Sequence, residues 1–388
     1  MLHNGTFEYM VAMRRQLHQH PEIGFDLPKT LALVKGELDA MGIPYTEEFG
    51  KSSIVATINP DCKGFTIGIR GDMDGLPMQE ANEVPYCSRI PGRMHACGHD
   101  AHTAILLGIA RELKARETEL TCRVKLLFTP AEEYVQPGCK QMAENSVMDD
   151  IDCVVACHVD PSAEVGVIKT IAGGGNANSM GFTVEFFGKS SHGSEPANGV
   201  DAIAMAVEAY TAMKFMMSNE FPAKERRVLN VGTFQGGITN NIVCDYCKMF
   251  CSSRTHSDEV TDKILNRTRQ ICDGIAAIHG GEAKVTVDKL LPYVVNHPEV
   301  VKRVEEAAAK VIGPGNILPN PRGMGGEDFA FLSRKKPAMQ FRLGCKIEDR
   351  PYYPLHNVQF DMDEGCMEVG ANIFLQFVLD NMNGFEME

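Results

Sequence analysis

From residue 180 onward the hydrophobic pattern runs strand, helix, strand, strand, helix, strand: MGFTVEFFGK, DAIAMAVEAYTAMKFMM, RRVLNVGTFQGG, IVCDYCKMFCSSR, SDEVTDKILNRTRQICDGIAAIHG and AKVTVDKL. Alternating and helical periodicities in that order make a split βαβ, ferredoxin-like unit of about a hundred residues that can close its own core. What flanks the block differs from it. Before it, short apolar runs (SSIVATIN, FTIGIR, VKLLF, CVVACH) interleave with helical stretches such as YMVAMRRQLHQ, KTLALVKGELDAM and TAILLGIARELKA. That is the pattern of an α/β layer fold, a mixed and largely parallel sheet with helices on both faces. After it, HPEVVKRVEEAAAKVIG, AMQFRLGC and EVGANIFLQFVLDNM resume the layer. A chain of 388 residues exceeds what one core usually supports. The expected organisation is a discontinuous domain, 1–175 plus 290–388, interrupted by an inserted α+β domain over 176–289.

Charge and cysteine content narrow the function classes. A formal net charge of -13 repels phosphate backbones and anionic membrane surfaces, so neither nucleic acid nor membrane is an expected partner. The N-terminal stretch MLHNGTFEYMVAMRRQLHQH carries charges and histidines where a secretory leader needs an apolar core. Thirteen cysteines scattered over a long chain fit reduced thiols better than a disulfide framework, and the expected compartment is the cytoplasm.

The stretch RMHACGHDAH, residues 93–102, crowds a cysteine, three histidines and an aspartate into ten positions. Three interpretations compete: a metal site, a thiol nucleophile with a histidine base, and a polar turn before a helix. In open α/β sheets ligands collect beyond the carboxyl ends of strands, so the residues after each apolar run matter. FTIGIR is followed by Asp72 and Asp74, VKLLF by Glu132 and Glu133, CVVAC by His158, and AMQFRLGC, after a loop, by His356. Cys97 and His99 are two apart, and in an extended segment they would project to one side. Thiolate, imidazole and carboxylate donors together suit zinc, with manganese as the alternative. Their dispersal over several strand ends is the style of a catalytic site, since structural zinc sites more often use paired C-x-x-C ligands. Five ligands exceed one tetrahedral shell, and two ions about 3.5 to 4 Å apart can clamp one water. In the pair Glu132–Glu133 one acid can bind metal while its neighbour stays free as a base.

The strings LHQHPEIGF, RGDMDGLPM, RMHACGHDAHTAILLG, FTPAEE, FGKSSHGSEP, GGEDFAFL and PLHN resemble, in order and over nearly the whole chain, the aminoacylase, hippurate hydrolase and auxin-conjugate hydrolase group of di-metal amidohydrolases. Carboxypeptidase G and succinyl-diaminopimelate desuccinylase are more distant relatives. The resemblance implies a zinc-exopeptidase-like catalytic domain with two divalent ions per subunit, zinc or manganese. It makes Cys97, His99, Glu133, His158 and His356 the ligands and Glu132 the general base that takes a proton from a metal-activated water. It makes Asp74 the partner that orients an imidazole. It implies that the inserted domain is a lid and dimerisation domain, that His192 in SSHGSEP stabilises the oxyanion, and that Asn241 and Arg254 hold the substrate carboxylate. The expected activity is cleavage of N-acyl amino acids or similar small amides by a homodimer. A dipeptidase or carboxypeptidase using the same site is the alternative, and a Cys97 thiol hydrolase a further one.

The chain departs from the family pattern at Pro196-Ala197, where proline-histidine is common, and at Asn241-Ile-Val-Cys244, where the fourth position is commonly proline. Both changes fall in the inserted domain and bear on substrate preference. His95 and His102 are expected to be hydrogen-bonded neighbours in the same loop. Cys244, Cys247 and Cys251 are expected on a strand as packing residues, and Met205, Met213, Met216 and Met217 as helix packing. Glu327 and Asp328 are expected to satisfy backbone donors at a helix start, with placement near the cleft as the alternative.

Overall fold

The computed structural model describes residues 1–134 and 136–387. The first unit opens with α1 (Thr6–His18), α2 (Pro28–Met41), β1 (Tyr45–Thr46), β2 (Ile54–Ile58), β3 (Thr66–Asp72), α3 (His99–Ala115), β4 (Arg123–Thr129), α4 (Gly138–Glu144), β5 (Cys153–Glu164), β6 (Ile168–Thr170) and β7 (Gly173–Gly174). A second unit follows as β8 (Asn178–Phe187), α5 (Ala202–Asn219), β9 (Arg227–Gly236), β10 (Tyr246–Thr255), α6 (Asp258–His279) and β11 (Glu282–Leu291). Then β12 (Val295–Asn296), α7 (Pro298–Ile312), β13 (Ile317–Pro319), α8 (Ala330–Ser333), β14 (Ala338–Lys346) and α9 (Gly365–Asp380) return to the first. Internal packing groups Met1–Gly175, Val294–Arg322 and the stretch from Asp328 on as one unit, and Asn176–Tyr293 with Gly323–Glu327 as the other. The inserted block therefore runs four residues past the expected 289, and the short Gly323–Glu327 segment packs with it.

The first unit is built on an eight-stranded sheet in the order β1-β2-β4-β3-β5-β14-β6-β13. β3 pairs in parallel with β4 and β5, and β5 with β14, whereas β2 joins β4 antiparallel. Every residue of β3 is buried, as a central parallel strand covered on both faces requires. One face packs under α1, α3, α7 and α9, with Met10, Leu106, Phe341 and Phe374 in its core. The other packs under α4 and α8 through Val55, Leu127, Met142 and Phe329. This is the expected mixed, largely parallel layer.

The second unit is a four-stranded antiparallel sheet in the order β11-β8-β10-β9, with α5 and α6 supplying Met205, Met213, Ile264 and Cys272 to its core. On β10, Cys247, Met249 and Cys251 alternate into that core while Tyr246 and Phe250 face out. The expected ferredoxin-like order is present, but β10 begins at Tyr246, not at Ile242. Val243 N–H donates to Ser191 O (2.9 Å) and Gly188 N–H to Asp245 O (2.8 Å), so this stretch is tied to the His192 loop instead of to β9. Cys244 consequently lies outside the strand, its Sγ bonded to Tyr246 O at 3.0 Å. Among the described residues no helix is long and apolar enough to cross a membrane.

Candidate metal centre

The strand ends of the first unit deliver the polar residues. Asp72 closes β3, and Met73 N–H bonds Thr129 O at 2.9 Å, so the GDMDG turn lies against the end of β4. Past β4, Ala131 takes φ 57°, a left-handed conformation uncommon outside glycine, and reverses the chain so that Glu132 and Glu133 follow in a turn. The Asp74 carboxylate accepts from Glu132 N–H (3.0 Å) and Glu133 N–H (3.2 Å), and its Oδ1 also lies 3.4 Å from His99 Nδ1. One buried carboxylate thus joins the acidic turn to the histidine turn.

Cys97 and His99 are not in the extended segment the sequence suggested. His99 is the first residue of α3, and Gly98 between them takes φ 81°. A Cβ on Gly98 would fall 2.4 Å from Val159 Cγ2, so both conformation and space demand glycine. The turn brings the thiol and imidazole together by curling, where β-alternation had been expected. His158 lies within β5, past Ala156, where pairing with β3 stops. Its Nδ1 is 2.9 Å from Val159 O, which leaves Nε2 facing Cys97 Sγ at 3.5 Å. His356 takes φ 64°, and its N–H bonds Ala96 O at 2.8 Å, which ties its loop to the cysteine segment.

The donor atoms fall into overlapping groups. Those of Cys97, His99 and His158 lie within 4.8 Å of one another, and so do those of Cys97, Glu133 and His356. Cys97 is common to both triads. A third group, within the same distance, joins His99 and Glu133 to Glu132. His356 Nε2 is 2.8 Å from Glu133 Oε1. Both ring nitrogens of His99 are buried and make no hydrogen bond among the described residues. Unsatisfied buried polar atoms cost about 1–3 kcal/mol each, and two on one imidazole beside a thiol, a second imidazole and a carboxylate have the chemistry of a site that accepts a divalent cation. The residues present therefore fit a metal.

The electrostatics point the same way. Burial would lower the His99 imidazole, but Asp72 and Cys97 outweigh it and hold its pKa well above the ordinary value, so the pocket favours positive charge there. Burial, helped by Arg342, pushes His158 well below its ordinary value, leaving it neutral as a ligand must be. Burial would raise Glu133, but His356 and His99 prevail and lower it. Burial pushes the Cys97 thiol far up, against the pull of His99.

Behind these donors lies a layer that the sequence did not reveal. Fully buried Arg70 donates to Asp72 Oδ2 (2.6 Å), Asp328 Oδ1 (2.5 Å) and Thr129 Oγ1 (2.9 Å). Asp328 also accepts from Cys139 N–H at 2.9 Å, and its own N–H reaches Glu132 Oε1 at 3.3 Å. It thus accepts a backbone donor in the first turn of α4, the role expected of it, and is also a buried neighbour of Glu132. His102 sits in the first turn of α3, not in the loop, with Nδ1 2.6 Å from Asp72 Oδ1 and Nε2 accepting from Val159 N–H at 3.0 Å. It pins the strand that carries His158. His95, expected to be hydrogen-bonded, is buried with neither ring nitrogen bonded among the described residues. Burial pushes its pKa down to about 3. The RGD string and the GGED string were the only signals for this layer, and neither announces a contact across some two hundred residues.

The remaining expected site residues belong to the second unit. His192 lies in an exposed loop, its Nδ1 accepting from Ser194 N–H at 3.1 Å, and Gly193 N–H bonds Asn241 O at 2.8 Å. Those two residues are neighbours. Arg254 is not with them: it stands near the far end of β10, opposite Ser179 and Val228.

A cluster of metal-binding donors at the carboxyl ends of a parallel sheet, with a second acid beside the ligand acid, defines a metal-dependent hydrolase of amide bonds, an amidohydrolase or metallopeptidase. The model of Peptidase family M20/M25/M40 matches residues 68–380, and the chain belongs to that family. It is 31% identical over 368 residues to thermostable carboxypeptidase 2 of Saccharolobus solfataricus, covering 94% of this chain and 93% of that one. It is 29% identical over 375 residues to N-acetylcysteine deacetylase of Bacillus subtilis, covering 95% and 96%. Among solved structures, a dinuclear metal-binding peptidase of the M20 family from Bacillus subtilis superposes with TM-score 0.84 at 28% identity, covering 97% of this chain and 99% of that one. The resemblance carried by the motifs is borne out.

Proposed function

We propose that the protein cleaves the amide bond of N-acyl amino acids, or of similar small amides bearing a carboxylate, with two divalent ions, zinc or manganese, held by Cys97, His99, Glu133, His158 and His356. The observation that carries this is Cys97 as the shared corner of two donor triads, a donor set that would hold two divalent ions. The dinuclear relative and the deacetylase relative support it. Bound there, two such ions supply the Lewis acidity that makes a water nucleophilic near neutral pH and polarises the scissile carbonyl. Glu132 takes the proton of the attacking water and delivers it to the departing amine. The Asp328 N–H at Glu132 Oε1 orients that carboxylate, and Asp74 fixes the turn that carries it. His192 donates to the developing oxyanion, and Arg254 and Asn241 hold the substrate carboxylate, for which arginine offers two parallel charge-assisted bonds.

The working molecule in this proposal is a homodimer in the cytoplasm. The Asn241 loop adjoins the Tyr246 end of β10, and Arg254 lies eight positions further along (254 less 246), about 27 Å at strand rise. In this reading that separation is too long for one copy to present both to one carboxylate, and a second copy supplies one of them. Edge strand β9 exposes Phe234, and α5 beside it exposes Ile203, Val207 and Tyr210, an apolar face suited to that copy. All thirteen cysteines are free, in keeping with a reducing compartment.

The test is hydrolysis of N-acetyl and N-benzoyl amino acids and dipeptides by metal-loaded protein, with chelated protein and Glu132→Gln alongside. The expected result is cleavage of the N-acyl substrates that both controls abolish. Preference for dipeptides would favour the carboxypeptidase alternative, which the Saccharolobus solfataricus relative supports. Activity surviving full chelation would overturn the metal mechanism in favour of Cys97 as nucleophile. Burial raises the Cys97 pKa, the opposite of what a nucleophilic thiol needs.

A further inference from the structure

Helix α1 supplies none of the candidate ligands, yet its Arg14 side chain is fully buried beside them. Arg14 Nε donates to Asp100 Oδ2 (2.8 Å), Nη2 to Asp361 Oδ1 (3.1 Å) and Nη1 to Glu364 Oε1 (3.2 Å), and the Tyr86 ring stacks on the guanidinium at 4.7 Å. Asp100 directly follows His99 in the first turn of α3. Asp361 and Glu364 end the segment that starts at His356, and that segment is already tied to Ala96 by the His356 N–H. One planar cation therefore spans the two ligand-bearing segments whose spacing sets the distance from Cys97 and His99 to His356. His18, one turn along α1, adds a second bond to the same Asp100 oxygen at 2.8 Å.

We propose that Arg14 is a positioning residue of the metal centre, holding the Cys97–His99 turn and the His356 segment in register so that both ions bind; this rests on the dinuclear reading above. A buried cation is a poor way to gain stability, since apolar residues of similar volume commonly serve as well or better. What the guanidinium adds is direction: three bonds in one plane to three carboxylates on two segments, which a lysine ammonium cannot reproduce.

The test is the stoichiometry and affinity of zinc and of manganese in the full-length protein, read by competition with a chromophoric chelator. The proteins compared are wild type, Arg14→Lys and the double variant Arg14→Met with Asp100→Asn. The double variant removes the carboxylate that Arg14→Met alone would leave buried against an apolar side chain. Asp361 keeps Arg350 at 3.1 Å, and Glu364 keeps Arg15 at 2.6 Å. The expected result is two ions bound by wild type and an affinity about ten-fold or more weaker in the double variant, with kcat falling more than KM rises. Arg14→Lys should recover part of the loss and, being the milder change, keeps the question answerable if the double variant does not fold. Metal affinity equal to wild type in Arg14→Lys and in the double variant, whatever happens to thermal stability, would reduce Arg14 to a structural residue and overturn the proposal. Wild type that binds no ion would overturn the dinuclear reading first and this one with it, a distinct result.

Discussion

Gly98 has no tolerance for a side chain. Its φ of 81° strains any other residue, and the Cβ of an alanine would meet Val159 Cγ2 at 2.4 Å. Gly98→Ala is expected to lose about 1–3 kcal/mol through backbone strain, with more where Val159 cannot move. The measurement is urea unfolding with and without zinc: zinc should stabilise the wild type far more than the variant, because the displaced turn no longer brings Cys97 and His99 together. Glu132 should behave in the opposite way. Glu132→Gln keeps the shape and the Asp328 N–H contact but cannot take a proton, so kcat should fall about 10²–10⁴-fold with metal stoichiometry unchanged. A variant that lost metal as well would make Glu132 a ligand and leave the base unassigned.

At the scale of elements, the ordering of strands and helices was readable because hydrophobic periodicity is local. The parallel layer and the β-α-β-β-α-β block are each encoded in windows of ten to twenty residues. The donors were readable because cysteine, histidine and paired acids are conspicuous after strand ends, as Cys97, His158 and Glu132–Glu133 were. The turn between Cys97 and His99 was not, since the string HACGHD suits an extended segment as well as a helix start until the packing of Val159 is known. The contacts of Arg70 with Asp328 and of Arg14 with Asp361 were invisible because nothing in a window joins residues 258 and 347 positions apart. Helix α1 was legible only as an amphipathic helix, and its polar contacts bring a pH dependence. At His18, burial and Arg14 lower the pKa, but Asp100 and Glu80 prevail and raise it above 6.5, while the Tyr86 and His95 rings complete the surroundings. The folded protein then binds the His18 proton more tightly than the unfolded chain does. The stability this brings is fully present below 6.5 and is lost as pH rises through the raised folded value. The stability difference between wild type and His18→Gln should therefore shrink as pH rises above 6.5 and through the raised folded value. A difference that grows with pH would mean that His18 is held neutral.

For the whole molecule, the separation of Arg254 from Asn241 along β10 would, under the proposed function, make catalysis a property of the assembly. If one carboxylate must meet both residues, then anything that separates the copies removes binding and oxyanion groups together while leaving each copy's donor triads untouched. Edge strand β9 is where such a change can be made, because it carries Phe234, 41% exposed, and neighbouring Ile203 touches the end of that strand beside Gly236. Phe234→Lys would set a charge into the apolar face beside α5, at a position that pairs with Met249 of β10 on the helix-covered side of the sheet. Replacing one well-packed aromatic at an interface commonly costs about 2 kcal/mol, roughly a thirty-fold weaker association. In sedimentation, wild type is expected to run as a dimer and Phe234→Lys to dissociate as the protein is diluted. Across the same dilution series, wild-type specific activity should stay constant while that of the variant falls in proportion to its dimer fraction, with two ions still bound per chain. Full activity in a demonstrably monomeric variant would break the link between assembly and catalysis and require the substrate carboxylate to be held by Arg254 or Asn241 alone.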